Sequence, residues 1–269
     1  MAVRLSGWRK ISAATWRAPS DPQMYGDVEL DARPLLAYVE AARADGHPVT
    51  VTHLVGKAVA HALARNPDLN GRIRLGRFVR RPTVDIFFIA STADGDELSG
   101  VKVARTDEKA VTAIADEVAG RAARLRSGEE DDLGQAKGLL DRLPTRVLRW
   151  LMGLLAVLSI DLDLDLPAVG VRRQTFGSAL VSSVGMFGIG HAYAPLSPFY
   201  RVPFLVLVGE VADRAVVEDG VVVARPMLTV SATMDHRYLD GFHAARLARD
   251  LRAYCADPAA FEPPLAAQR

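Results

Sequence analysis

The sequence predicts a mixed α/β domain. Apolar residues recur at helical spacing in the N-terminal half, and short β-branched runs bounded by turn residues fill the C-terminal half. The two kinds of element do not alternate regularly, which sets the chain apart from repeated βαβ folds.

Asp31 to Asp45 places Leu35, Leu36, Tyr38, Val39 and Ala42 on one face and reads as an amphipathic helix. Thr52 to Asn66 gives a second, with Leu54, Val55, Ala58, Val59 and Leu63 inward. Pro67 stops it, because the residue before a proline is pushed out of the helical region. Val84 to Ala90 reads as a strand, Gly100 to Ala104 as its neighbour, and Glu108 to Arg126 as a helix. Leu148, Leu151, Leu155 and Leu158 recur at helical spacing, so Leu143–Ile160 is expected to be helical as well. Ser178–Ser183 and Phe204–Gly209 are apolar runs of buried-strand type. Ala215–Val217 and Val221–Ala224 flank Glu218-Asp219-Gly220, a hairpin signal. Pro226 to Thr233 supplies a further strand, and Gly241 to Ala256 a closing helix carrying Phe242, Ala245, Leu247 and Leu251.

The 269 residues suffice for one large core, and no Pro/Gly/Ser linker divides them. Lys and Arg number 33 against 32 Asp and Glu, a balance of +1 that argues against a nucleic-acid partner. The single cysteine, Cys255, cannot form an internal disulfide, which points to a reducing, cytoplasmic setting. No signal-peptide core follows Met1. The most apolar run, Trp150 to Ile160, has eleven uncharged residues. That is short of the roughly 20 a bilayer span needs.

Several patterns are bland on inspection. His53 and His61 share a helix without a cysteine or carboxylate constellation, so no metal site is expected. Asp161-Leu-Asp-Leu-Asp165 lacks the glycine and glutamate of a calcium loop. The glycines at 185, 188 and 190 stand in the wrong order for a dinucleotide fingerprint.

Chemistry concentrates in Ser231-Ala-Thr-Met-Asp-His-Arg-Tyr-Leu-Asp-Gly-Phe-His243. A strand runs into a turn that presents His236, and Asp240-Gly241 then opens a helix. Histidine is suited to general-base work because its ordinary pKa lies near neutrality. An exposed turn histidine without a catalytic role fits the same pattern.

Asp235-His-Arg-Tyr-Leu-Asp-Gly241 resembles the Asp-His-Arg-x-x-Asp-Gly signature of the catalytic domains of dihydrolipoamide acyltransferases. Through His243 it also resembles the His-x-x-x-Asp-Gly-Phe-His pattern of chloramphenicol acetyltransferase. Three more segments resemble family motifs in the family's order: Ser6–Ala13, Gly56–Asn70 and Val181–Gly188. The resemblance implies a two-layer α/β sandwich of chloramphenicol acetyltransferase type, a mixed sheet with helices on one face. It further implies a coenzyme A-dependent acyltransferase that acts as a homotrimer, each active site shared between neighbouring subunits. Carried over by motif, His236 is the general base and Ser182 the hydroxyl that stabilises the oxyanion. Asp240 pairs with a loop arginine, for which Arg9 is the match.

The departures from the family shape the expectation too. Asp96–Lys102 replaces the family's Gly-Leu-x-x-Pro-Val strand, and an added segment of about residues 139–175 interrupts the domain. Asp107-Glu-Lys-Ala110 lies in a helix rather than a lipoyl domain, so no covalent lipoate is expected here. Residues 1–269 then read as a single stand-alone catalytic domain, for which dihydrolipoamide is not assumed as substrate. Two other classes stay open. One is a non-catalytic scaffold or regulatory paralogue of an acyltransferase complex. The other is a protein in peripheral contact with a lipid surface through Val147–Ile160, although a buried core helix is the reading that segment favours.

Overall fold

The computed structural model describes residues 21–74, 76–91, 98–126, 144–162, 164, 175–198 and 200–265. Strand β1 (Gln23–Asp31) leads to helices α1 (Arg33–Ala44) and α2 (Val51–Arg65). A small hairpin of β2 (Gly71–Arg74) and β3 (Arg77–Arg80) follows, then β4 (Ile86–Ser91), β5 (Leu98–Val103) and α3 (Val111–Arg126). Helix α4 (Thr145–Ala156) runs into a π-helical turn at Val157–Asp161. Strand β6 (Ala179–Ser183), the long strands β7 (Phe204–Glu218) and β8 (Val221–Asp235), and helix α5 (Gly241–Ala256) complete the order.

Six strands form one mixed sheet in the order β1-β8-β7-β6-β4-β5. Strand β6 runs parallel to both neighbours, and the remaining pairs are antiparallel. Alternation assigns each strand two faces. Val28, Phe88, Val181, Val206 and Val230 turn one way, into the main core with Leu35, Leu54, Val59, Ile114 and Leu251 of α1, α2, α3 and α5. Leu180, Leu205 and Leu207 turn the other way, into a second cluster covered by Phe176, Ala192, Ala194, Leu196 and Tyr200. The two-layer α/β sandwich expected from the sequence is what forms, with these four helices on one face.

Local chemistry explains the helix boundaries. Pro34 sits in the first turn of α1, where its missing N–H costs nothing. Thr50 and His53 form a reciprocal capping box at the start of α2. Asp240 and His243 form another at the start of α5. Three residues assigned to apolar faces are corrected, one of them Ala245 of α5, which is exposed. Leu36 lies beside the buried stripe Leu35–Tyr38–Val39–Ala42 and is exposed, and Phe242, in the first turn of α5, is 70% exposed with its ring 6.0 Å from the Arg246 guanidinium. Strand β1 and the β2–β3 hairpin add to the elements read from the sequence. Strands β7 and β8 each run through what read as two short strands, with a bulge between Val208 and Val211.

The segment expected to be helical at Leu143–Ile160 is helical over its described part, but it is not a core helix. Among its described side chains only Ala156 and Ser159 are buried. Val147, Trp150, Leu154 and Val157, at helical spacing, are exposed, Trp150 by 68%. No described helix is long and apolar enough to cross a membrane.

Glu262, which follows α5, is held in the interior. Glu262 accepts the Val111 N–H at 2.7 Å and the Tyr254 hydroxyl at 2.7 Å, and its Oε1 lies 4.0 Å from the Lys57 ammonium. Lys57 also donates to the carbonyls of Asp107 and Lys109, each at 2.7 Å. Cys255 is buried nearby, and desolvation pushes its thiol up to about 12.

Candidate active site

His236 opens the turn that follows β8, and that turn is fixed from several sides. The His236 N–H donates to the Pro22 carbonyl at 2.8 Å, the Asp235 N–H to Pro203 at 3.0 Å, and the Tyr238 N–H to Asp235 at 2.9 Å. The Arg237 guanidinium forks onto the Asp235 carboxylate, Nε at 3.0 Å and Nη2 at 2.5 Å. Leu239 is buried. The backbone is thus immobilised while the imidazole of His236 stands exposed to solvent. A base needs this combination: a fixed origin and an unblocked ring.

Asp240 caps α5. Its carboxylate accepts the Phe242 N–H at 3.0 Å and the His243 N–H at 3.1 Å, and lies 2.7 Å from His243 Nδ1. The backbone bond from His243, then the bond to its side chain, hold the Asp240 carboxyl below the usual carboxylate range. The expected partner Arg9 lies outside the described residues. Within them, Asp240 serves to start a helix and to set the end of the His236 turn.

Ser182 lies near the end of β6, half-buried, on the face turned away from the helices. Its strand neighbours place it in a row with Ile89, Leu207, Ser231 and Asp27. Ser231 stands five residues before His236 on β8. At about 3.4 Å per residue and about 4.8 Å per strand, His236 and Ser182 of one chain are roughly 20 Å apart. The fold therefore does not bring these two predicted site residues together within a protomer.

The segment after Ser182 lies across the same sheet face. A Cβ on Gly209 would meet the Gly190 carbonyl oxygen at 2.2 Å, so the segment rides directly on β7 backbone. Tyr193 donates its hydroxyl to Asp27 at 2.7 Å and packs edge-on to Tyr25. Tyr25, Tyr193, Ala194 and Pro195 line an open apolar groove of about 360 Å³. Tyr25 stands opposite Thr233, three residues from His236, so the groove flanks the His236 turn.

The β2–β3 hairpin adjoins the His236 turn from another side. The Ile73 N–H donates to the Tyr238 hydroxyl at 2.9 Å, and the Phe78 and Tyr238 rings meet edge-on at 6.1 Å. The sequence reading missed this contact. Its signal was five arginines within Gly71–Arg81, hidden by the near-neutral balance of the whole chain.

His53 and His61 are packed into the fold. His53 is 9% exposed, and burial lowers its pKa to about 4. His61 packs against the rings of Tyr254 and Phe261. Among the described residues no group of three His, Cys, Asp or Glu side chains could hold a metal ion.

Comparison with known proteins is consistent with this geometry. The sequence model of the family described as 2-oxoacid dehydrogenases acyltransferase (catalytic domain) matches residues 2–134 and 171–262. The acetyltransferase component of the Bacillus subtilis pyruvate dehydrogenase complex is 26% identical over 236 residues, covering 86% of this chain and 44% of the relative. The lipoamide acyltransferase component of the branched-chain alpha-keto acid dehydrogenase complex of the same organism is 23% identical over 252 residues, covering 91% and 49%. This chain thus spans about half the length of these relatives. Among solved structures, a probable dihydrolipoamide acetyltransferase from Listeria monocytogenes shares the fold, with a TM-score of 0.65, 21% identity and coverage of 95% and 94%. The cubic core of a pyruvate dehydrogenase complex also scores 0.65, at 23% identity and coverage of 90% and 84%.

Proposed function

Because the chain belongs to the family of 2-oxoacid dehydrogenase acyltransferase catalytic domains, we propose that it transfers an acyl group between a coenzyme A thioester and a thiol, hydroxyl or amine acceptor. His236 takes the proton from the attacking group, whose freed electron pair adds to the acyl carbonyl carbon. The carbonyl oxygen becomes an oxyanion and accepts a hydrogen bond from the Ser182 hydroxyl. Collapse reforms the carbonyl and expels the first carrier as a thiolate, which takes the proton back from the His236 imidazolium. One well-aimed oxyanion donor is worth ~3–4 kcal/mol of barrier.

The observation that carries this reading is the separation of roughly 20 Å between His236 and Ser182 along the sheet register. A site using both residues requires two chains. A cyclic trimer supplies that arrangement three times by symmetry, and walls the exposed His236 turn off from water. The presence of both side chains, with Asp240 setting the turn, favours the enzyme over a non-catalytic scaffold. A reducing, cytoplasmic compartment suits the lone buried thiol of Cys255.

The test mixes His236→Ala and Ser182→Ala protomers in equal amounts, after dissociation and reassembly. Random assembly gives three-quarters mixed trimers, each with one of three sites intact, so about a quarter of wild-type activity returns. Activity at the level of the separate variants, with trimers confirmed by mass, would reject the shared site.

The exposed apolar stripe of α4 supports a second, compatible reading, in which the helix rests on a lipid surface. Arg146 and Arg149 flank the stripe, and no acidic residue occurs between Thr145 and Ile160. Cationic flanks beside an apolar stripe suit an interfacial helix.

A further inference from the structure

We propose that the β2–β3 hairpin is the arm that binds the phosphate groups of the acyl carrier. The inference rests on the coenzyme A-dependent reading and adds the residues that would recognise the nucleotide end of the carrier.

The hairpin places Arg74 directly opposite Arg77, and Arg80 opposite Gly71. Directly opposed side chains on paired strands have Cβ atoms about 5 Å apart, and like charges there destabilise the pair. Compensation by a carboxylate is missing: residues 71–81 contain none, and Arg74, Arg77 and Arg80 form no ion pair among the described residues. Arg77 and Arg80 are exposed and Arg74 is half-buried. A short hairpin that sets two cations face to face, without a counter-charge, contradicts its own local stability. Such a conflict marks a functional element.

Its location identifies the function. The hairpin is fastened to Tyr238, two residues after His236, by the Ile73 N–H and by ring packing from Phe78. An anion bound by these arginines is therefore held at a fixed distance from the base. Arginine pairs with phosphate through planar, forked hydrogen bonds and keeps its charge at any working pH. Coenzyme A carries its thioester at one end of a long flexible arm and its pyrophosphate and 3′-phosphate at the other. Anchoring the phosphates beside the turn would confine the thioester to the neighbourhood of His236, which lowers the entropy cost of reaching it.

The test compares three donors bearing the same acyl group: acyl-coenzyme A, its 3′-dephospho form, and acyl-pantetheine, which has no phosphate. The variant Arg74→Ala/Arg77→Ala/Arg80→Ala should raise KM for acyl-coenzyme A at least tenfold at unchanged kcat, and leave KM for acyl-pantetheine as it was. The matching triple Lys variant should recover most of the loss. The 3′-dephospho donor shows whether the 3′-phosphate or the pyrophosphate is gripped. An unchanged KM for acyl-coenzyme A, or an equal rise for acyl-pantetheine, would overturn the proposal. Inactivity of the wild-type trimer with every donor would instead count against the acyltransferase reading. Calorimetric binding of coenzyme A against pantetheine then decides the role of the hairpin: equal affinity for the two overturns it, and arginine-dependent preference for coenzyme A upholds it.

Discussion

His53 makes a prediction that does not depend on catalysis. Its ring accepts the Thr50 N–H through Nδ1 at 3.2 Å, which requires the neutral form, and burial keeps it neutral down to about pH 4. Unfolding releases a histidine that protonates near its ordinary value of 6.5. The unfolded state therefore binds more protons between pH 6.5 and 4, and stability falls as the pH is lowered through that window. The full loss is roughly 3 kcal/mol, since each tenfold change in proton affinity corresponds to about 1.4 kcal/mol. Denaturant titrations at pH 7 and pH 4 should show it. His53→Gln, which can still close the capping box, should flatten the difference. At His236 the matching expectation is loss of acyl transfer in His236→Ala with an unchanged unfolding midpoint, because the residue is exposed. Both residues were visible in the sequence, but only His236 stood in a motif. The burial of His53 depends on Phe88, whose ring lies 5.8 Å away from a strand some thirty residues on.

Elements with a clear apolar period were legible, and those lacking one were not. Helix α5 spans the predicted Gly241–Ala256, because a capping aspartate and a periodic face mark both ends. Strand β1 was missed because it lies at the sheet edge and turns Tyr25, Asp27 and Glu29 away from the core. Its pattern in sequence is that of a polar loop. The β2–β3 hairpin was missed for a related reason: four-residue strands paired only with each other carry little hydrophobic signal. Helix α4 is the opposite case, plain in the sequence but with its buried side unreadable. Its exposed stripe predicts binding to vesicles containing phosphatidylglycerol, weakened by salt, and abolished in Trp150→Glu or Leu154→Glu. Co-sedimentation reads this directly. Pelleting equal to that of the two variants would assign the stripe to protein contact instead.

For the whole molecule, the contact that closes the fold joins residues far apart in sequence. Lys57 of α2, Val111 at the start of α3, Tyr254 of α5 and Glu262 near the chain end meet in one buried network. Removing the carboxylate strands a buried ammonium, an amide N–H and a phenol together. Glu262→Ala should cost ~3–5 kcal/mol, measurable by urea unfolding, whereas Glu262→Gln keeps one acceptor oxygen for the Val111 N–H and fills the space, and should cost less. No local pattern announces this network, since each member looks like an ordinary surface or helix residue. The candidate site divides in the same way. His236, Ser182 and the helix-capping Asp240 could be picked out from motifs, and the structure shows the cap. The separation of His236 and Ser182 across the sheet follows from strand register alone.

Cys255 has a practical consequence for anyone measuring the reaction. It is the only cysteine in the chain, and it is buried with its thiol pushed up to about 12. At neutral pH the folded protein offers almost no thiolate to a colorimetric disulfide reagent, because the thiolate is the reacting form. Continuous detection of released coenzyme A should thus run without a protein background. The same reagent in denaturant should titrate one equivalent per chain. A single reading before and after denaturation would then report what fraction of a preparation is folded.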